Sequence, residues 1–392
     1  MKNITLLLLV SSALSSFGQW TSLSSPTSDQ LVAAFFTSPD TGSVGGNDGQ
    51  IYRTTDGGST WTPQSSGTTQ HIFAMHFTDA NTGYACTGAG TSSILGTADG
   101  GQTWNVLTTN PAQYLIDIYF VNANVGFCVG YSGTILKTTD GGVNWVPQSS
   151  GTGQNLRAVR FIDEQVGLVA AEYNIILRTT DGGATWNSYS SSTSLILLAL
   201  SFVDASTAYA VGGTGIIVKT DDGGLTWNTQ PTGRSEFYQS VHFIDPLIGY
   251  AVGGDVISST VDGGLNWTSQ NLGTFNNSNG YGWYAITFVD GIGYVAGYEG
   301  MIMKNGGNVS IGNSASISDR IKVYPNPSQG AFALDMGDIQ YKQIEIHDLQ
   351  GKLIMSLSGE QVRHFDLDVE PGSYVLSVQV DGKVGLIQLV IQ

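Results

Sequence analysis

Six aspartates recur about every 41 residues: Asp56, Asp99, Asp140, Asp181, Asp222 and Asp262. Each is followed by two glycines and, three residues after the second glycine, by a Trp, as in Asp56-Gly57-Gly58-Ser59-Thr60-Trp61. Carboxylates at fixed spacing could act as general acids or metal ligands, but their neighbours point to backbone chemistry. Two successive glycines allow positive φ, which a tight strand-to-strand turn requires. An Asp ahead of them can accept hydrogen bonds from the turn's own N–H groups. The Thr or Asn and then Trp open the next strand, and the indole supplies apolar area to bury. These aspartates read as structural turn locks.

Other acids fall into a second repeated column after the first strand of each unit, Asp79, Asp163, Asp204, Asp245 and Asp290. A glycosidase needs two carboxylates facing one cleft, and Asp117 and Glu172 are the acids on which such a reading would rest. Asp117 stands where other repeats place Ala or Ser, with Arg157 and Arg160 on the matching strand of the next repeat. An acid in a crowded inner column should be paired, because an isolated buried carboxylate is costly. Arg53 and Arg178 share a column with Lys137 just before a box and read as outer-strand positions, which leaves too few Arg for a clamp on a sugar carboxylate. His76 and His242 share a column four repeats apart, a spacing that suits channel-lining residues better than metal ligands. No metal motif, phosphate loop or nucleophile elbow is present, and no cofactor is expected.

Aromatic residues offer a different chemistry. The segment 273–284 is longer than its counterparts and carries Phe275, Tyr281, Trp283 and Tyr284, while Tyr114, Phe237 and Tyr238 begin strands on the same expected face. Tyr and Trp bind well at low entropic cost, so together with Asp117, Arg157 and Arg160 these residues are candidates for a ligand site. Two readings stand for Trp283 and Tyr284: recognition of a ligand, or a plug in the seam between the last and first repeats.

These side chains must be positioned by the repeat itself. Each unit reads as four strands; in the third, they lie near Tyr114–Phe120, Val125–Val129, Thr134–Thr138 and from Trp145 onward. A period near 40 residues with short strands between glycine turns predicts propeller blades. First strands align on Phe36, Phe77, Phe120, Phe161, Phe202, Phe243 and Phe288, with small residues such as Ala33, Ala158 and Ala285 three positions earlier, where inner strands crowd an axis. The seventh box, Lys304-Asn305-Gly306-Gly307, has no Trp after it, but Trp20 lies in the right register 41 residues before Trp61. Trp20 is therefore expected in the outer strand of the last blade, closing a ring of seven and leaving no open sheet edge.

The 392-residue chain has a net charge of −16, which argues against nucleic-acid or anionic-membrane partners. Residues 1–18 read as an export signal, with Lys2, an apolar run from Ile4 to Val10 and small residues at Ser16 and Gly18; no segment is long enough to span a membrane. Cys86 and Cys128 sit in second strands of consecutive blades, shifted by one residue, so they could meet across the blade interface. Export permits a disulfide there; two buried small hydrophobes is the other reading. The propeller is assigned to 19–307, a small polar linker to 308–319 and a second domain to 320–392. Alternating strands and turns such as Glu370-Pro371-Gly372 predict a small antiparallel, Ig-like sandwich there. The fold class is all-β.

The boxes resemble Asp-box, or neuraminidase-type, repeats. With Phe-(Ile/Val)-Asp, Gly-Tyr-Ala-Val-Gly and Lys-Thr-(Thr/Asp)-Asp-Gly-Gly between them, residues 20–310 resemble the photosystem II stability and assembly factor family, which implies a propeller that docks a protein chain. Tyr324-Pro325-Asn326-Pro327-Ser328-Gln329-Gly330, Ile346-His347-Asp348-Leu349-Gln350-Gly351-Lys352 and Leu367 to Tyr374 resemble a type A sorting domain. That resemblance implies transport by the type IX secretion machinery of Bacteroidetes. The expectation is an exported, monomeric binding propeller, not an enzyme, that takes a glycan or protein ligand outside the cell; a polysaccharide hydrolase is the alternative.

Overall fold

The computed structural model describes residues 20–88, 92–110, 114–272 and 282–305, and beyond them the strands 322–324, 331–335, 343–348, 353–358, 364–366, 372–380 and 383–391. The expected export signal, the linker 308–319, Phe275 and Tyr281 lie outside the described residues.

Residues 20–305 form a seven-bladed β-propeller of four-stranded antiparallel sheets. Blade one consists of Leu31–Phe36, Gly42–Gly46, Ile51–Thr54 and Thr62–Gln64, and five further blades repeat this order along the chain. The seventh is assembled from both ends. Trp283–Val289, Ile292–Gly297 and Ile302–Asn305 are completed by Trp20–Ser22, with Trp20 opposite Asn305 and Ser22 opposite Met303.

Side chains alternate across each strand, so every blade feeds two cores, one with each neighbour. Ile51 and Ala33 of blade one pack with Ile72 and Leu95 of blade two, and the pattern continues to Trp20, Tyr250 and Trp283 between blades six and seven. Leu31 and Val44 then pack with Ala296 and Ile302, joining blade one to blade seven. The aligned phenylalanines organise these interfaces. Phe36 stacks on Tyr294 of blade seven at 3.5 Å and meets Trp61 edge-on at 6.2 Å. Phe120 does the same with Tyr84 and Trp145, and Phe243 with Tyr209 and Trp267. In the closing blade Trp20 stands edge-on to Phe288 at 6.2 Å, doing the work of the Trp that the seventh box lacks. Trp145 precedes its outer strand, which begins at Val146 rather than at the indole itself.

The boxes are built as their composition requires. Asp56 accepts from the Thr60 amide at 2.9 Å, the Thr60 hydroxyl at 2.6 Å and the Thr54 hydroxyl at 2.8 Å. Gly57 and Gly58 hold φ of 69° and 88°, where a side chain would be strained. The column of Arg53, Lys137 and Arg178 ties blades together: Arg53 donates to the Gly100 carbonyl at 2.7 Å, Lys137 to Gly182 at 2.7 Å and Arg178 to Gly223 at 2.8 Å. Each reaches forward to the box of the next blade, and Lys304 closes the circuit onto Gly57 at 3.2 Å.

The described strands of the C-terminal region form a three-stranded and a four-stranded antiparallel sheet. The side chains that would pack one on the other in the expected sandwich lie mostly outside the described residues. Among the described residues no helix is long and apolar enough to cross a membrane.

Candidate functional site

One face of the propeller carries the starts of the inner strands and the turns between second and third strands; the boxes lie on the other. Short contacts fix this arrangement, Tyr131 N to Tyr114 O at 2.9 Å on the first face and Gly141 N to Asn124 O at 2.9 Å on the second. On the first face, blades three and four bring together a compact polar and aromatic cluster. Tyr114, at the head of its inner strand, is 39% exposed and stacks on Tyr131 with ring centroids 5.1 Å apart. The Arg157 guanidinium lies 4.9 Å from the Tyr131 ring centroid, and its Nη1 donates to the Tyr131 hydroxyl at 3.3 Å.

Glu172 anchors this arginine. Arg157 donates to Glu172 Oε1 through Nε at 3.0 Å and also through Nη2, while Asn155 Nδ2 donates to Oε2 at 3.2 Å. Such a two-pronged pair fixes the guanidinium plane, so the ring and the cation present a rigid surface. On the other side Tyr114 abuts Phe73 across Gly88; a Cβ on Gly88 would come within 2.5 Å of Phe73 and 2.8 Å of Tyr114.

The second-to-third-strand turn of blade four departs from its counterparts. Ser132 and Thr214 hold positive φ ahead of Gly133 and Gly215, and blade four repeats the pair with Tyr173 at 58° and Asn174 at 64°, placing Asn where the others have Gly and a large ring where they have a small residue. A bulky residue in this region is uncommon and costs energy, yet Tyr173 is 67% exposed. It follows Glu172 directly in the chain and leaves its ring open to solvent.

The sequence-based candidates divide between several places. Tyr114 and Arg157 belong to this cluster, and Arg157 pairs with Glu172 rather than with Asp117. Phe237 is 46% exposed on the same face, two blades further round. Tyr238, one residue on, turns inward: it is fully buried and its hydroxyl shares a 2.5 Å hydrogen bond with Ser258. Trp283 is 1% exposed and packs against Trp20, Tyr250 and Val295 in the core between blades six and seven. Tyr238 and Trp283, expected on the ligand face, are both core; Trp283 fills the interface between blades six and seven, not the seam between the last and first blades. Tyr284 is half-buried beside it.

Asp117 and Arg160 lie near the axis, toward the opposite face. Asp117 Oδ2 accepts from Arg160 Nη1 at 2.6 Å and from the Val159 amide at 2.9 Å. Burial pushes the Asp117 carboxyl up, and Arg160 opposes that shift. The residues one position before the aligned phenylalanines converge here: His76 meets Phe35 at 5.2 Å and Tyr119 at 4.9 Å, and Arg160 lies over Tyr119. His76 and His242 stand two blades to either side of Arg160. Burial first, and then the Arg160 charge, hold them down to about 3 and about 4, so both are neutral at ordinary pH. Among the described residues no group of three or more His, Cys, Asp or Glu is placed to hold a metal ion.

Tyr131, Glu172 and Tyr173 were not among the binding candidates read from sequence. The available signal was the turn Ala171-Glu172-Tyr173-Asn174, which replaces the glycine-bearing turn of the other blades.

Comparison with known proteins agrees with this architecture. Residues 104–196 match the family model described as photosynthesis system II assembly factor YCF48, and residues 322–392 match the secretion system C-terminal sorting domain. Among solved structures, YCF48 bound to D1 peptide is similar with a TM-score of 0.61 at 18% identity, over 74% of this chain and 96% of that one. YCF48 from Cyanidioschyzon merolae gives 0.60 at 22% identity, over 73% and 98%. The WD40 propeller domain of Doa1 gives 0.61 at 12%, over 74% and 97%. No curated protein sequence matches the chain. The chain thus combines a YCF48-like propeller with a C-terminal sorting domain that directs it through type IX secretion to the cell surface or the extracellular space.

Proposed function

We propose that this secreted propeller is a binding protein whose ligand face is the cluster of Tyr114, Tyr131, Arg157, Glu172 and Tyr173, and that it takes a protein segment or a glycan outside the cell. The observation that carries this reading is the stack of the exposed Tyr114 on Tyr131, with Arg157 fixed against the Tyr131 ring by Glu172 and the exposed Tyr173 next to Glu172 in the chain. Flat aromatic faces can stack on sugar rings or peptide side chains, while Arg157 and Asn155 supply donors at the edge. That the similar propeller YCF48 has been solved with a D1 peptide bound supports a polypeptide ligand.

The hydrolase alternative would need two carboxylates sharing a cleft. Here Glu172 is engaged by Arg157 and Asp117 by Arg160. Both acids are occupied in holding cations.

The test is a peptide and glycan binding screen on the secreted protein, followed by Tyr114→Ala with Tyr173→Ala. Both residues are exposed, so the melting temperature should stay within about a degree while binding falls at least tenfold. Retained binding in that variant would place the ligand elsewhere. Turnover of a polysaccharide that vanishes in Glu172→Gln would replace the binding reading with the hydrolase one.

A further inference from the structure

Both cysteines of the chain face the same interface. Cys86 belongs to Gly83–Gly88 of blade two and Cys128 to Gly126–Gly130 of blade three. They lie in one apolar cluster with Ile94, Leu115 and Ile118, each fully buried, and both are free thiols here. The two strands present opposite faces to each other. Ala85, next to Cys86, points back toward blade one, and Phe127 and Val129, on either side of Cys128, point on to blade four. The two thiols thus meet across the interface, within hydrogen-bonding reach of one another.

We propose that Cys86 and Cys128 form a disulfide that staples blade two to blade three in the exported protein. The sorting domain sends the chain out of the reducing cytoplasm, into compartments where disulfides form and persist. The co-reactant is a thiol–disulfide oxidoreductase in its disulfide form. One cysteine thiolate attacks the carrier disulfide, forms a mixed disulfide and releases a carrier thiolate. The second cysteine thiolate then attacks the bonded cysteine sulfur, forms the Cys86–Cys128 bond and releases the second carrier thiolate. Two protons and two electrons leave the propeller, and the carrier ends as a dithiol.

Timing follows from burial. In the packed interface the Cys128 thiol is pushed well above its ordinary value by its apolar surroundings and by Cys86, so it is a poor nucleophile and is shielded from any carrier. Oxidation therefore precedes the docking of blade three on blade two. The bond closes a loop of roughly 40 residues, long enough to restrict the unfolded chain substantially. None of this depends on the ligand face, so failure of either proposal leaves the other standing.

The experiment uses the full chain as secreted, denatured in iodoacetamide with and without prior reduction and weighed intact. The expected result is no carbamidomethyl group without reductant and two with it, together with a non-reduced proteolytic fragment joining Cys86 to Cys128. Reduction, or the double change Cys86→Ser and Cys128→Ser, should each lower the melting temperature by about 5 to 10 °C. Two carbamidomethyl groups without reductant, or linkage between two chains, would overturn the proposal. A bond whose reduction leaves the melting temperature unchanged would overturn its role as a staple. Because the mass measurement is made on the unaltered chain, it stands even if the serine variant does not fold.

Discussion

Asp117 of blade three is bound to Arg160 of blade four by a 2.6 Å hydrogen bond, and the same carboxylate oxygen caps the Val159 amide. A repeated irregularity makes room for this pair. In six blades the inner strand shifts register just before this column, between Leu31 and Ala33 in blade one and between Leu115 and Asp117 in blade three. Such bulges re-aim side chains. Where the others point an Ala, blade three points a charge. Asp117→Ala should strip Arg160 of its counter-ion and cost roughly 2–3 kcal/mol, less than a fully buried pair because the guanidinium is partly open to water. Differential scanning calorimetry would check this, and a second change, Arg160→Met, should recover part of the loss. An unchanged melting temperature in Asp117→Ala would remove any structural role for the pair.

The closing strand gives a second prediction. Trp20 is 6% exposed and packs on Tyr250, Phe288 and Trp283. Trp20→Ala should lower stability by roughly 3–5 kcal/mol, as loss of a large buried aromatic does. A chain starting at residue 30 would leave the Ile302–Asn305 strand as an open edge and should self-associate. Sedimentation of that chain as a monomer with an unaltered melting temperature would contradict closure by the N-terminal strand.

Acid should weaken the propeller in two stages. His76 and His242 are held at about 3 and about 4, below the ordinary 6.5, so the unfolded chain takes up protons first and stability falls as the pH drops from about 6.5 toward 4. Asp56, Asp99, Asp181 and Asp222 are held at about 2 against an ordinary 3.8, chiefly by the hydroxyl of the box threonine. Their contribution is present above about 4 and is lost as the pH falls from there to about 2. The raised carboxyls of Asp117 and Asp245 work in the opposite direction. Melting curves from pH 7.5 to 2.5 would resolve both stages, and replacing both histidines by Phe should remove the upper one. A melting temperature that stays flat between pH 7 and 4.5 would count against buried neutral histidines.

Removal of residues 320–392 should leave the propeller folded but retained inside the outer membrane. Cell fractionation reads the location, and a melting temperature equal to that of the full chain reads independence of the two parts. Delivery of the shortened chain to the cell surface would mean that the tail is not the export signal.

The ring was legible because its signals are local. A box is a turn whose side chains bond to their own backbone, and the interval from Trp20 to Trp61 repeats a spacing that the chain states many times. What was not legible depends on the facing of one strand against another sheet. Phe237 and Tyr238 are neighbours of the same chemical type, yet alternation sends the first to solvent and the second to the core. Arg157 and Arg160 both looked toward Asp117, but the strand's register shift falls at Arg157 itself, and only Arg160 reaches the carboxylate. Arg157 turns to Glu172, whose turn belongs to its own blade.

Joining Trp20–Ser22 to Ile302–Asn305 also sets a clock. Thr21 and Lys304, hydrogen-bonded to each other, are separated by 283 positions, so the propeller's N-terminal strand must wait for the last strand of the ring before it has a partner. Contacts so distant along the chain form slowly, because the intervening loop must be gathered first. The unfinished ring keeps an unsatisfied backbone edge throughout that wait, and aggregation is most dangerous just before completion. For a polypeptide that must also leave the cell, the final zipper of Trp20 against Asn305 is the step at which a passing chain becomes a finished object.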